Sequence, residues 1–143
     1  MRSRIPKQQL ELLANVPLFS SCSQSELRLI AQLGTPVEVE KGALLTTQGK
    51  PGSEFFLVLS GRASCQVRGK EIVRFGPGDY FGELALLHGG IRTADVVALS
   101  PMELLVLDAR EFRSMVMETP TIAVKMLGRL AERLMSNDAR HSD

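Results

Sequence analysis

The sequence predicts a mainly β fold with flanking helices: a jelly-roll-like β-barrel of the double-stranded β-helix type. Three observations predict it. Ten of the 12 glycines fall between positions 42 and 90, the turn density of an all-β segment. Between them lie short runs of strand composition, separated by regular turn signals. Outside that centre the apolar residues recur at helical spacing. The boundaries read as N-terminal helices at 7–33, a barrel over about residues 36–108 and C-terminal helices at 109–136, within a single domain spanning 1–143.

The elements follow in order. Lys7 to Ala14 reads as a short helix, broken by the apolar turn Val16-Pro17-Leu18-Phe19. Ser23-Gln-Ser-Glu26 has the capping-box spacing, a hydroxyl three residues before a carboxylate. It opens a second helix whose apolar face is Leu27, Ile30, Ala31 and, less regularly, Leu33, ended by Gly34, Thr35 and Pro36. The strand candidates are Val37–Val39, Ala43–Thr47, Phe55–Leu59, Ala63–Val67, Glu71–Phe75, Ala94–Leu99 and Met102–Leu107. Arg68-Gly69-Lys70 is a tight turn between two of them, because glycine takes positive φ without a Cβ clash. Gly76-Pro77-Gly78-Asp79 is another turn. Pro120 starts a second C-terminal helix rather than interrupting one, since proline is tolerated only in a first turn. That helix carries an apolar stripe of Ala123, Met126, Leu127, Leu130 and Leu134, suited to core packing, a lid or a dimer seam. Lys125, Arg129 and Arg133 read as a solvated face, and residues 137–143 as a frayed end.

Composition excludes several functions. The 143 residues are 44% hydrophobic and 23% charged, the balance of a globular chain. A formal net charge of +1 argues against general nucleic-acid binding through a basic surface. With no Trp and only Tyr80, few platforms exist for stacking unpaired bases. No apolar run approaches the ~20 residues of a membrane-spanning helix, and Met1–Pro6 leads into no signal-peptide apolar region. Cys22 and Cys65 are too few for a disulfide framework and read as buried thiols of a cytoplasmic protein.

One segment behaves like neither strand nor long helix. Phe81-Gly-Glu-Leu-Ala-Leu-Leu-His88 reads as one helical turn set into the β-structure, closed by Gly89-Gly90. Its start presents unpaired N–H groups to an anion, and Gly82 allows close backbone approach. Glu83 and Arg92 flank it, nine residues apart across a glycine-containing loop that can fold back and point both into one cavity. A guanidinium fork suits a phosphate, whereas a carboxylate suits a hydroxyl. Together they point to a ligand with one anionic phosphate beside one free hydroxyl. Taken separately, Glu83 is equally a first-turn carboxylate on the helix dipole and Arg92 a surface arginine; the spacing and the turns around them favour the shared site. His88 reads as a solvated loop residue.

This constellation resembles the phosphate-binding cassette of the cyclic-nucleotide-binding domain family, found in kinase regulatory subunits, gated channels and catabolite-activator regulators. The family pattern stands here as Phe81-Gly82-Glu83-Leu84-Ala85-Leu86-Leu87 and Arg92-Thr93-Ala94-Asp95-Val96. Val16–Phe19, Gln48–Phe56, Ser60-Gly61, Gly76–Asp79 and the terminal helices resemble further family features, so that the likeness covers roughly residues 12–135. The resemblance implies a non-catalytic cAMP or cGMP sensor whose C-terminal helices repack over the base. Glu83 would accept from the ribose 2′-hydroxyl and Arg92 would pair with the cyclic phosphate. Gly82, Leu84, Ala85, Thr93 and Ala94 would complete the ligand contacts. Thr93 leaves cGMP open, because a hydroxyl there reaches the guanine 2-amino group when the base is syn. Ile91 departs from the proline many members carry before the arginine, which loosens the loop but removes no ligand group.

Other classes fit less well. A cupin-type enzyme needs a histidine-rich metal set, and only His88 and His141 are present; no metal, no cofactor and no catalytic residue are expected. A catabolite-activator regulator places a helix-turn-helix after the lid helix, and only eight residues follow Met135, so direct DNA binding by this chain is not expected. A degenerate docking domain would not need Glu83 and Arg92 intact. A homodimer through the 121–135 helix is compatible with its apolar stripe. The output partner is not named by any motif.

Overall fold

The computed structural model describes residues 7–141, with side chains through Ser136; the readings of Met1–Pro6 as no signal peptide and of the last two residues as frayed lie outside the described residues. Helix α1 (Lys7–Ala14) leads through a 3-10 turn (Pro17–Phe19) into α2 (Gln24–Leu33). The expected capping box is formed: Glu26 N–H donates to Ser23 Oγ at 3.1 Å, and Ser23 N–H donates to Glu26 Oε1 at 2.8 Å. Leu27, Ile30 and Ala31 are the buried face of α2.

Eight strands follow: β1 (Thr35–Val39), β2 (Leu44–Thr46), β3 (Glu54–Ser60), β4 (Ala63–Val67), β5 (Lys70–Phe75), β6 (Tyr80–Phe81), β7 (Asp95–Ala98) and β8 (Met102–Asp108), with the short helix α3 (Glu83–Leu87) between β6 and β7. They form two antiparallel sheets, ordered β1-β8-β3-β6 and β2-β7-β4-β5. The expected mainly β architecture with flanking helices is thus an eight-stranded β-sandwich, whose hydrogen bonds close within each sheet rather than around one ring. β6 was not among the strand candidates. Two residues carry no readable alternation, yet Phe81 pairs with Phe56 and Tyr80 with Leu57.

β3 and β8 read as continuous apolar runs because both faces are covered. Phe55, Leu57, Leu59, Leu105 and Leu107 point into a cluster with Leu13, Phe19, Ile30, Phe112, Met115 and Ile122 of the helices. The alternate residues Phe56, Val58, Met102 and Leu104 point the other way, into an inter-sheet cluster with Cys65, Phe75, Phe81 and Val96. Period-2 alternation therefore builds three layers: helices, inner sheet, outer sheet. The β4–β5 hairpin turns at Arg68 (φ 53°) and Gly69 (φ 78°), two left-handed residues in succession, as its twist demands.

Helix α4 (Ala109–Glu118) opens with the same capping chemistry, Asp108 with Glu111. Helix α5 runs from Pro120 to His141, past the expected end at 136, because no Pro or Gly interrupts 137–141. Its stripe splits. Met126 joins Ile122 in the core, while Leu127 and Leu134, with Val124, are exposed. Nor is its basic face simply solvated. Lys125 Nζ donates to Ser20 Oγ, Arg129 pairs with Asp79 at 3.7 Å, and Arg133 pairs with Glu83 at 3.3 Å. Long side chains cross the helix flank to acceptors that the local sequence cannot reveal.

Candidate ligand-binding site

The site is built where β6 meets α3. Gly82 joins them at φ +95°, a left-handed conformation that residues with a Cβ adopt at a penalty. A Cβ on Gly82 would stand 2.5 Å from the Glu54 carbonyl oxygen and 3.0 Å from Arg92 Nη1. Glycine is thus required by the protein's own crowding as well as by φ. The following residue, Glu83, opens α3 and is only 3% exposed.

Arg92 arrives on the loop after α3, and its backbone is fastened on both sides. Arg92 N–H donates to the Lys50 carbonyl and Gly49 N–H donates to the Arg92 carbonyl, each at 2.9 Å; Gly52 N–H donates to Gly90 O at 2.8 Å. Ile91 forms an isolated bridge with Pro51, so this loop is stitched to 49–52 with no proline needed at position 91. The Arg92 side chain then passes directly over Gly52, where a Cβ would overlap the guanidinium at Nε and Cζ. Its donors go to Gly82 O at 3.3 Å, Glu54 O at 2.9 Å and Glu54 Oε1 at 3.3 Å, with Cζ 5.7 Å from the Phe56 ring centre. Two carbonyls and one half-exposed carboxylate fix the fork while leaving its charge incompletely neutralised. Burial lowers the Arg92 pKa and Glu54 opposes that shift; a guanidinium stays charged under either influence.

Glu83 is held differently. Burial pushes its carboxyl pKa up, and a hydrogen bond from its own backbone, Arg133 and Arg129 work in the opposite direction. Arg133 Nη1 donates to Glu83 Oε1 at 3.3 Å across 50 residues of sequence. Arg129, one helical turn earlier, lies with Cζ 4.9 Å from the Tyr80 ring centre.

All seven expected site residues, Gly82, Glu83, Leu84, Ala85, Arg92, Thr93 and Ala94, line one cleft, with Thr46, Tyr80, Phe81, Val96 and Arg133 among its other walls. Arg92 and Glu83 are buried in it, and Thr93 is exposed at it. Thr46 Oγ1 donates to Ala94 O at 2.8 Å, tying the β7 end of the cleft to β2. Sequence reasoning did not single out four contributors. Gly52 lies just before β3 and Glu54 is its first residue, both within the Gln48–Phe56 stretch noted only for its family likeness, and Arg129 and Arg133 were taken for solvent-facing. His88 is an exposed loop residue. Among the described residues, no three His, Cys, Asp or Glu side chains stand together as a metal ion would need, and no helix is long and apolar enough to cross a membrane.

A cationic fork and an acceptor carboxylate in one cleft can hold a phosphate and a hydroxyl of the same molecule. The model of the cyclic nucleotide-binding domain matches residues 36–119. A Rhodopseudomonas palustris protein named as a potassium channel protein is 33% identical over 119 residues, covering 80% of this chain and 29% of its own. The CRP-like cAMP-activated global transcriptional regulator of Mycobacterium tuberculosis is 27% identical over 138 residues, covering 93% of this chain and 62% of its own. The chain therefore spans less than two thirds of the length of either relative. The solved structure of cAMP-bound PfPKA-R (141-441) superposes with a TM-score of 0.81 at 26% identity, covering 91% of this chain and 45% of that one. Fold, cassette and family model converge, and the chain belongs to the cyclic nucleotide-binding domain family.

Proposed function

We propose that this chain is a non-catalytic sensor module that binds cAMP or cGMP in the cytoplasm and passes the event on through its C-terminal helices. The observation that carries the reading is the burial of Arg92 and Glu83 in one cleft, each with its side chain fixed by separate partners. Arg92 takes the cyclic phosphate. Glu83 accepts a hydrogen bond from the ribose 2′-hydroxyl. Gly82, Leu84, Ala85, Thr93 and Ala94 give close backbone contact around them. The names of two relatives, a cAMP-activated regulator and a cAMP-bound chain, favour cAMP, while the Thr93 hydroxyl keeps cGMP a candidate. No cofactor enters this reading, and no bond is made or broken.

Transmission is a population shift. The ligand moves α4 and α5 only by as much as it prefers one of their arrangements over another. The exposed Val124, Leu127, Ala131 and Leu134 of α5 recur at spacings of 3, 4 and 3, the seam of a two-stranded coiled coil, and a second copy of this chain is its proposed occupant.

Titration calorimetry with cAMP, cGMP and 5′-AMP tests the site. A cyclic nucleotide is expected to bind far more tightly than 5′-AMP. Arg92→Ala is expected to weaken that binding by about 2–5 kcal/mol, the loss when one side of a desolvated charge pair is removed. Unchanged affinity in this variant would remove Arg92 from the site, and equal binding of 5′-AMP would remove the cyclic ligand class.

A further inference from the structure

α5 carries two arginines one helical turn apart beside the nucleotide cleft, and they face two acidic residues, Asp79 and Glu83, four positions apart. Arg133 lies on Glu83 inside the cleft. Arg129 is not among the cleft-lining residues. It stacks on Tyr80 and pairs with Asp79, and Asp79 is itself pinned because its Oδ2 accepts from Gly76 N–H at 2.8 Å. The Tyr80 ring belongs to the inner core. Arg129 therefore docks on a platform that the core and the Gly76–Asp79 turn hold in place, although its own side chain is 42% exposed and reaches Asp79 at 3.7 Å; the Arg133 side chain is 45% exposed and meets Glu83 through a single 3.3 Å contact.

We infer that Arg129 is a positioning residue for sugar recognition: by seating α5 on Tyr80 and Asp79, it sets the helix register that lays Arg133 on the buried Glu83 carboxylate. This rests on the cyclic-nucleotide reading of the cleft. Its physical content is the ionisation of Glu83. The charged groups bearing on that carboxylate are Arg133 and Arg129 of α5, and it in turn acts on Tyr80 of β6, Cys65 of β4 and Arg92. Burial favours the protonated form, and the two α5 arginines favour the charged form. The charged form is the better acceptor for a ligand hydroxyl. A helix shifted out of register leaves Glu83 more readily protonated and less able to hold the sugar. The docking of α5 and the recognition of the 2′-hydroxyl are then one linked equilibrium.

The test is calorimetry of cAMP and 2′-deoxy-cAMP against wild type, Arg129→Met, Arg133→Met, Arg133→Lys and the double Met variant between pH 6 and 8. Arg129→Met and Arg133→Met are each expected to weaken cAMP by about fivefold at pH 7, the scale of one partly exposed ion-pair or cation–π contact. The fall in affinity on acidification is expected to set in at higher pH than in wild type, and Arg133→Lys is expected to restore the wild-type profile. The double variant should lose clearly less than the sum of the two single losses, because Arg129 acts chiefly through Arg133 and only secondarily through its own charge near Glu83. For 2′-deoxy-cAMP the variants should differ little from wild type. A wild-type profile in Arg129→Met, or additive losses in the double variant, overturns the inference. A role confined to stability would lower the melting temperature and leave the pH profile in place, and that result overturns it as well. If wild type binds neither cyclic nucleotide, the reading of the cleft fails instead; if it binds and only the arginine variants of α5 are silent, that reading stands and this one falls.

Discussion

Glu83, the proposed acceptor for the ligand hydroxyl, illustrates how a recognition role works against the fold. Its carboxyl is buried, and burial raises its pKa despite Arg133 and Arg129. A carboxyl whose folded pKa lies above its unfolded value destabilises the fold while ionised, so that stability is greatest at low pH and is lost as pH rises through the folded pKa. Glu83→Gln removes that charge. The variant is expected to melt a few degrees higher than wild type at pH 7, where roughly 2–4 °C corresponds to one kcal/mol in a chain of this size. The gain should shrink toward zero as pH falls through the carboxylate range, and cAMP affinity should be lower at pH 7, where wild-type Glu83 is ionised, and approach the wild-type value at acid pH. Calorimetric melting at several pH values reads the first effect and titration the second. Gly82 makes the opposite case, where fold and site need the same residue. Gly82→Ala places a methyl 2.5 Å from the Glu54 carbonyl at φ +95°. It is expected to cost about 1–3 kcal/mol of stability and to weaken the ligand, seen in denaturant melts and titration of the same preparation. Glu83 and Arg92 were legible because each sits beside a sequence-local turn. Glu54 and Arg133 were not, because their roles exist only across 38 and 50 residues of chain.

At the scale of elements, legibility followed local chemistry. The Ser23–Glu26 box placed the start of α2, and Pro120 placed the start of α5. Asp108 and Glu111 carry the same signature for α4, and it passed unused. β6 has no signature, since a two-residue strand is defined by its partner β3 rather than by its own alternation. The basic residues of α5 were misread for a related reason: amphipathic spacing distinguishes apolar from polar flanks, but not an arginine in water from one lying on tyrosine. The outward flank of the same helix can be tested directly. With Leu127 at 64% and Leu134 at 62% exposure, Leu127→Glu combined with Leu134→Glu is expected to leave the fold intact and to convert a dimer into a monomer in sedimentation velocity. A wild-type chain that sediments as a monomer at every concentration would leave that flank without its proposed occupant.

For the whole molecule, the two-sided burial of β3 and β8 was implicit in the apolar runs Phe55–Leu59 and Leu104–Leu107, and the three-layer arrangement follows from it. Strand pairing was not implicit. Nothing local tells β1 to lie beside β8 or β2 beside β7, because those choices are settled by which apolar faces close over which. The same long-range settlement places Gly52 beneath the guanidinium of Arg92, with no room for so much as a methyl group between them. A related gene could therefore keep every ligand-touching residue intact, acquire one alanine forty positions upstream, and encode a module deaf to its messenger. Surveys that judge such modules by their cassette alone would count it among the hearing.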